Sequence, residues 1–143
     1  MALVDFNKVR QLFGDTPAGD DPDLFRELFV LVMARATEAD SFTHPAEIKT
    51  VQEVIKSQLD MDLSSAEIRT AALSKVYEAA PLPKVLADAA LKLSMDQRRS
   101  ILEGLVTVMK ADDRISSREA EFFNVITASL QLTAADAAGL IVE

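Results

Sequence analysis

Apolar residues recur at intervals of three and four positions along most of this 143-residue chain, which is the spacing of one helix face. The longest apolar run, Leu28–Ala34, is far shorter than the roughly 20 residues that a membrane-spanning helix needs. We therefore predict a buried helix from Pro22 to about Ala36, with Asp21 as its capping residue. No segment alternates apolar and polar residues over the length of a strand. The sequence predicts an all-α fold, a compact bundle of seven to eight helices.

Residues that start or end a helix separate the predicted elements. Gly14 ends a first helix over Leu3–Phe13, and His44-Pro45 opens a third helix whose apolar positions reach Leu59. Pro81 and Pro83 separate a fourth helix from a short fifth one that ends near Lys92. Four later helix starts share a capping pattern, in which a hydroxyl residue precedes an acid or amide by three positions: Ser64-x-x-Glu67, Ser94-x-x-Gln97, Ser116-x-x-Glu119 and Thr133-x-x-Asp136.

Composition narrows the possible chemistry. The chain has no cysteine and one histidine, His44, which excludes disulfides, thiolate metal sites, cysteine nucleophiles and multi-histidine sites. The formal net charge of −8 gives an average field that repels phosphate backbones and anionic lipid headgroups. We expect no nucleic-acid partner and no direct membrane insertion, whereas a protein partner or a divalent cation fits this charge. The N-terminus lacks the pattern of a secretory signal, so we expect a cytoplasmic protein.

Two parts of the chain repeat the same order of features. Val32–Ala36, a polar loop and an amphipathic helix ending near Leu59 correspond to Val108–Ala111, a shorter polar loop and a helix ending near Leu130. Each copy combines an apolar helix, an acidic turn and an amphipathic helix with glutamate in its first turn. We predict a single helical domain over residues 1–143, with a first repeat at about 22–79 and a second at about 94–143.

The second copy carries a family resemblance. The segment Ala111-Asp112-Asp113-Arg114-Ile115-Ser116-Ser117-Arg118-Glu119 resembles the Ala-Asp-Gly-x-Ile-Ser-x-x-Glu signature of the TerB-like, or tellurite-resistance protein B, family. The likeness extends from about Asp21 to the C-terminus. It implies a TerB-like helical bundle, a stress-related role in bacteria, no established enzymatic activity, and acidic residues that bind a divalent metal. In this chain Asp113 replaces the glycine of the signature, and aspartate tolerates a left-handed turn better than most residues.

Carboxylates around the two acidic turns are the candidate metal ligands. Asp112 and Glu119 match the acids of the signature, and Asp113 adds a third carboxylate. Glu119 shares a helix face with Phe122, Phe123 and Ile126, which directs it from the buried side toward the preceding loop. Such an oxygen-rich turn suits Ca, Mg, Mn or Zn, and no organic cofactor is expected. A weaker second group lies around the first turn, where Thr37 replaces the aspartate: Glu38, Asp40 and Glu47.

A purely structural interpretation accounts for the same residues. Glu119 then accepts a hydrogen bond from the Ser116 backbone in a capping box, and both aspartates are solvated turn residues. Three functions from different classes follow. The first is a non-enzymatic, stress-associated binding protein that uses a divalent metal. The second is a helical adaptor for another protein without a metal role, and the third is an enzyme that works with carboxylates alone. No phosphate loop or nucleophile motif supports the third.

Overall fold

Helices account for most of the residues that the computed structural model describes, which are 22–37, 48–72, 82–110, 117–133 and 135. These residues form six α-helices and contain no strand. The helices are α1 (Pro22–Arg35), α2 (Ile48–Leu59), α3 (Ser65–Ala72), α4 (Leu82–Ala90), α5 (Met95–Lys110) and α6 (Ser117–Ser129). The all-α prediction is confirmed for this part of the chain. The predicted first helix, the start of the third and most of the terminal one lie outside the described residues.

Helix α1 lies at the centre of the bundle. Every side chain from Leu28 to Ala34 is fully buried, because α1 packs against α2, α3 and α5. Phe29 also meets Phe25 edge to face, with ring centroids 6.1 Å apart. A helix that is apolar nearly all round has no solvent face to present, so the other helices pack around it.

Helix α5 supplies the second apolar layer. Five apolar residues of α5 that recur at helical spacing are buried: Ile101, Leu102, Leu105, Val108 and Met109. Helix α5 contacts α1, α2 and α6, and α6 also packs on α4. Helix α6, which carries the predicted ligand Glu119, therefore packs against two other helices.

Two of the predicted capping boxes are present with both of their hydrogen bonds. At the start of α3, the Ser64 N–H donates to Glu67 Oε1 at 3.0 Å and the Glu67 N–H donates to Ser64 Oγ at 3.1 Å. At the start of α5, the Ser94 N–H donates to Gln97 Oε1 at 2.9 Å and the Gln97 N–H donates to Ser94 Oγ at 3.1 Å. Each box satisfies backbone donors that have no partner within the helix.

Helices α2 and α6, which the internal repeat pairs, end in a similar way. Asp60 follows α2 with φ of 54°, and Gln131 follows α6 with φ of 57°. The Asp60 N–H donates to Lys56 O at 3.0 Å, which is a left-handed cap with one bond. After α6, the N–H groups of Gln131 and Leu132 donate to Ala128 O and Thr127 O at 3.0 and 3.1 Å, which is the Schellman arrangement.

None of the described helices is both long enough and apolar enough to cross a lipid bilayer.

Candidate functional site

Of the six predicted metal ligands, Glu119 is the one that lies among the described residues. It lies in the first turn of α6, and only 2 % of its surface is exposed. Its Oε1 atom is shielded from solvent. The prediction that Glu119 projects from the buried face of its helix is confirmed, since Phe123 and Ile126 on the same face are also buried.

The burial of Glu119 distinguishes it from the other residues at equivalent capping positions. Glu67 and Gln97 occupy the fourth position of their boxes and both remain partly exposed. Burying a carboxylate costs much more free energy than leaving it at the surface, unless hydrogen bonds or a positive charge compensate it. Glu119 does have an interaction partner. The first turn of α6 therefore holds a buried carboxylate, whereas the capping residues Glu67 and Gln97 work while partly exposed.

The remaining predicted ligands lie outside the described residues. They are Asp112, Asp113, Glu38, Asp40 and Glu47, together with the Ser116 that would complete a capping box with Glu119. Across the part of the chain that the structure describes, no three acidic, histidine or cysteine side chains are grouped as they would be around a metal ion. The predicted metal site and the predicted cap both remain predictions.

A second buried carboxylate was not among the predicted site residues. Glu27 on α1 is only 4 % exposed, and it too has an interaction partner. The sequence contained a signal for its burial: Glu27 lies three residues after Leu24 and four before Leu31, both of which are buried. A charged residue at such a position falls on the inner face of the helix, where its carboxylate needs compensation.

A surface groove lies beside α2, and its described lining contains none of the predicted metal ligands. Its volume is about 450 Å³, and its described lining includes Lys49, Glu53, Lys56 and Asp62. The Lys56 Nζ lies 3.3 Å from Asp60 Oδ1 and 3.4 Å from Asp62 Oδ2. The pKa of Lys56 is raised above its usual 10.5, first by the hydrogen bond to Asp60 and next by the charge of Asp62. Because positive and negative groups alternate here, the groove has no net preference for an ion of either sign.

A comparison with protein families identifies the fold family. The family model described as "Tellurite resistance protein TerB" matches residues 26–140. The chain belongs to the TerB family. The match includes all six described helices except the first residues of α1, and it also includes the acidic segment before α6. Comparisons with curated proteins and with solved structures gave no match.

Family membership supports the resemblance that the signature at Ala111–Glu119 indicated. It agrees with a TerB fold made of helices alone, as the described residues show. It does not by itself assign a metal, a partner or a reaction to this TerB domain. Those assignments depend on the chemistry of Glu119 and of the turn that precedes it.

Proposed function

We propose that this TerB domain is a non-enzymatic, stress-associated binding protein that takes up a divalent cation at the turn before α6. Glu119, Asp112 and Asp113 are the proposed primary ligands, and Glu38, Asp40 and Glu47 form a weaker second group. Ca²⁺, Mg²⁺ and Mn²⁺ prefer carboxylate oxygens, and Zn²⁺ also accepts them.

The burial of Glu119 is the observation that supports this proposal most directly. A carboxylate that is 2 % exposed is favoured where positive charge accompanies it, and a bound cation supplies that charge. The two aspartates follow α5 within three residues of its last residue, Lys110. Only six residues, 111–116, separate the end of α5 from the start of α6, and they include both candidate aspartates.

The test is a metal titration of the ¹⁵N-labelled protein in NMR. Changes in the amide shifts report binding of CaCl₂, MgCl₂ and ZnCl₂, and line broadening reports binding of MnCl₂. We expect saturable changes around residues 111–119. Glu119→Gln should weaken the binding by at least about tenfold, because a lost charged ligand costs no less than a lost outer-shell partner. Asp112→Asn should weaken it as well.

The substitution Glu119→Gln also separates the metal role from a purely structural cap. Gln97 shows that an amide serves as the fourth residue of a capping box, since its Oε1 accepts the Ser94 N–H at 2.9 Å. Glutamine at position 119 can thus keep a cap while it removes the charge. Glu67→Gln is the matched control, because Glu67 caps α3 in a known geometry and lies partly exposed.

Two results would contradict the proposal. One is the absence of any saturable change with all four cations at millimolar concentration. The other is binding that Glu119→Gln weakens no more than Glu67→Gln does. In either case Glu119 is a structural cap, and the adaptor function becomes the better explanation of this domain.

A further inference from the structure

The corner between α4 and α5 exposes apolar side chains that the core does not use. We define the α4–α5 corner as residues 82–100. Leu91, directly after α4, is 78 % exposed, and Met95, at the start of α5, is 42 % exposed. The core contacts of this region are made by other residues, which are buried: Leu82, Val85, Leu86, Ala89, Ala90 and Leu93. Leu91 therefore contributes little to the stability of the fold in this state.

The same corner has a charge opposite to that of the whole chain. It contains four basic and two acidic residues, a formal net charge of +2, whereas the chain has −8. Some of these charges are engaged within the corner: Lys84 Nζ lies 2.8 Å from Asp88 Oδ1, and Arg98 Nε donates to Leu93 O at 3.3 Å. Lys92, next to Leu91, is half-buried, and Arg99 is exposed and also has an interaction partner.

We propose that the α4–α5 corner docks a short acidic segment of another protein, in which an apolar side chain covers Leu91. Carboxylates of that segment would face Lys92 and Arg99. Charge complementarity favours this occupant, because the corner has a net positive charge in a chain whose net charge is negative. The exposed leucine supplies the apolar contact that ion pairs at a surface lack, since such pairs alone contribute little.

A protein segment fits this corner better than an anionic bilayer does. A segment touches the corner alone, whereas a bilayer extends past it and meets the rest of the chain, which carries −10. Acidic residues of that remainder would be repelled wherever they come within about 8 Å of anionic headgroups, the distance over which charges interact at physiological salt. The proposal is independent of the metal site before α6, because it uses different residues on different helices.

The test uses two synthetic peptides, both acetylated and amidated, with the sequences Glu-Glu-Leu-Leu-Glu-Glu and Glu-Glu-Ser-Ser-Glu-Glu. Amide shifts of the ¹⁵N-labelled chain are followed in NMR during each titration. The leucine peptide should shift residues of the α4–α5 corner. The serine peptide should bind at least about fivefold more weakly, because burial of an apolar side chain supplies much of the affinity.

Leu91→Ser should weaken binding of the leucine peptide by at least about fivefold, since it removes the apolar contact. The substitution should leave the fold intact because Leu91 is largely exposed. The matched control is Val125→Ser. Val125 is 44 % exposed on α6, a helix with one basic and two acidic residues, so its replacement should change the affinity less than about twofold.

Four results would overturn the proposal: shifts that lie outside the corner, equal binding of the two peptides, equal weakening by Leu91→Ser and Val125→Ser, or no binding of the leucine peptide. Two further controls name other occupants. Corner shifts that grow with protein concentration in the absence of peptide would assign the surface to a second copy of the chain. Corner shifts with phosphatidylglycerol-containing vesicles but with neither peptide would assign it to a membrane.

Discussion

Gly104 lies where α5 packs tightly against α1, and its replacement by alanine gives a quantitative test of the packing. Gly104 is buried on α5, facing α1. An added Cβ would lie 2.6 Å from Phe29 Cζ, 3.0 Å from Phe29 Cε2 and 3.4 Å from Met33 Cε. Methionine is flexible and can yield, but the Phe29 ring is fully buried, so its displacement shifts other core side chains.

Two opposing effects determine the stability of Gly104→Ala. Alanine is favoured over glycine inside a helix by about 1 kcal/mol. Forcing an extra group into a packed core costs about 1–3 kcal/mol. The 2.6 Å contact between the added Cβ and Phe29 Cζ is shorter than ordinary contacts between non-bonded carbon atoms. We therefore place the cost at the upper end of that range. The expected net effect is a loss of about 1–2 kcal/mol in the free energy of unfolding.

Urea denaturation followed by circular dichroism measures this loss as a lower midpoint at an unchanged slope. Ala87→Gly, at an exposed position of α4, measures the propensity difference in the same protein. In a Phe29→Leu background the ring atoms are absent, so Gly104→Ala should cost less there than in the natural sequence. If Gly104→Ala instead stabilises the natural protein by the amount that Ala87→Gly destabilises it, then α1 and α5 do not approach as described.

Three further predictions concern the left-handed residues that follow α2 and α6 and the ion pairs of Lys56. Gln131→Gly should raise the free energy of unfolding by about 1 kcal/mol in urea denaturation, because glycine adopts the positive φ without a Cβ penalty. Asp60→Gly should give a smaller gain, since aspartate tolerates this φ and its ion pair with Lys56 is lost, and a larger gain would contradict the reasoning. Asp60→Asn should lower the pKa of Lys56 in an NMR titration, because the hydrogen bond to Asp60 is the main cause of its elevation. The stabilisation from this raised pKa is present below the usual lysine pKa of 10.5 and is lost as pH rises through the folded-state value; an unchanged pKa in Asp60→Asn would exclude this cause.

Local patterns in the sequence predicted the helices and two of their starts because the interactions involved are local. The bonds of the Ser64–Glu67 and Ser94–Gln97 boxes join residues only three positions apart. The tertiary features were harder to predict. How deeply Val54 is buried, at 5 % exposure, depends on the packing of α2 against other helices such as α5. Likewise, nothing in the residue type of Gln131 indicates a positive φ, whereas Asp60 is at least a residue that tolerates one.

The candidate site shows the same division between local and tertiary causes. Glu67, Gln97 and Glu119 share one position in one sequence pattern, yet only Glu119 is buried. The pattern fixes the position of each side chain relative to its own helix, whereas neighbouring helices determine whether solvent reaches it. Helix α6 is covered by α4 and α5, which accounts for the buried face that Glu119 shares. A capping motif therefore neither supports nor excludes a ligand role, and the exchange of carboxylate for amide at position 119 is decisive because it changes the charge and preserves the shape.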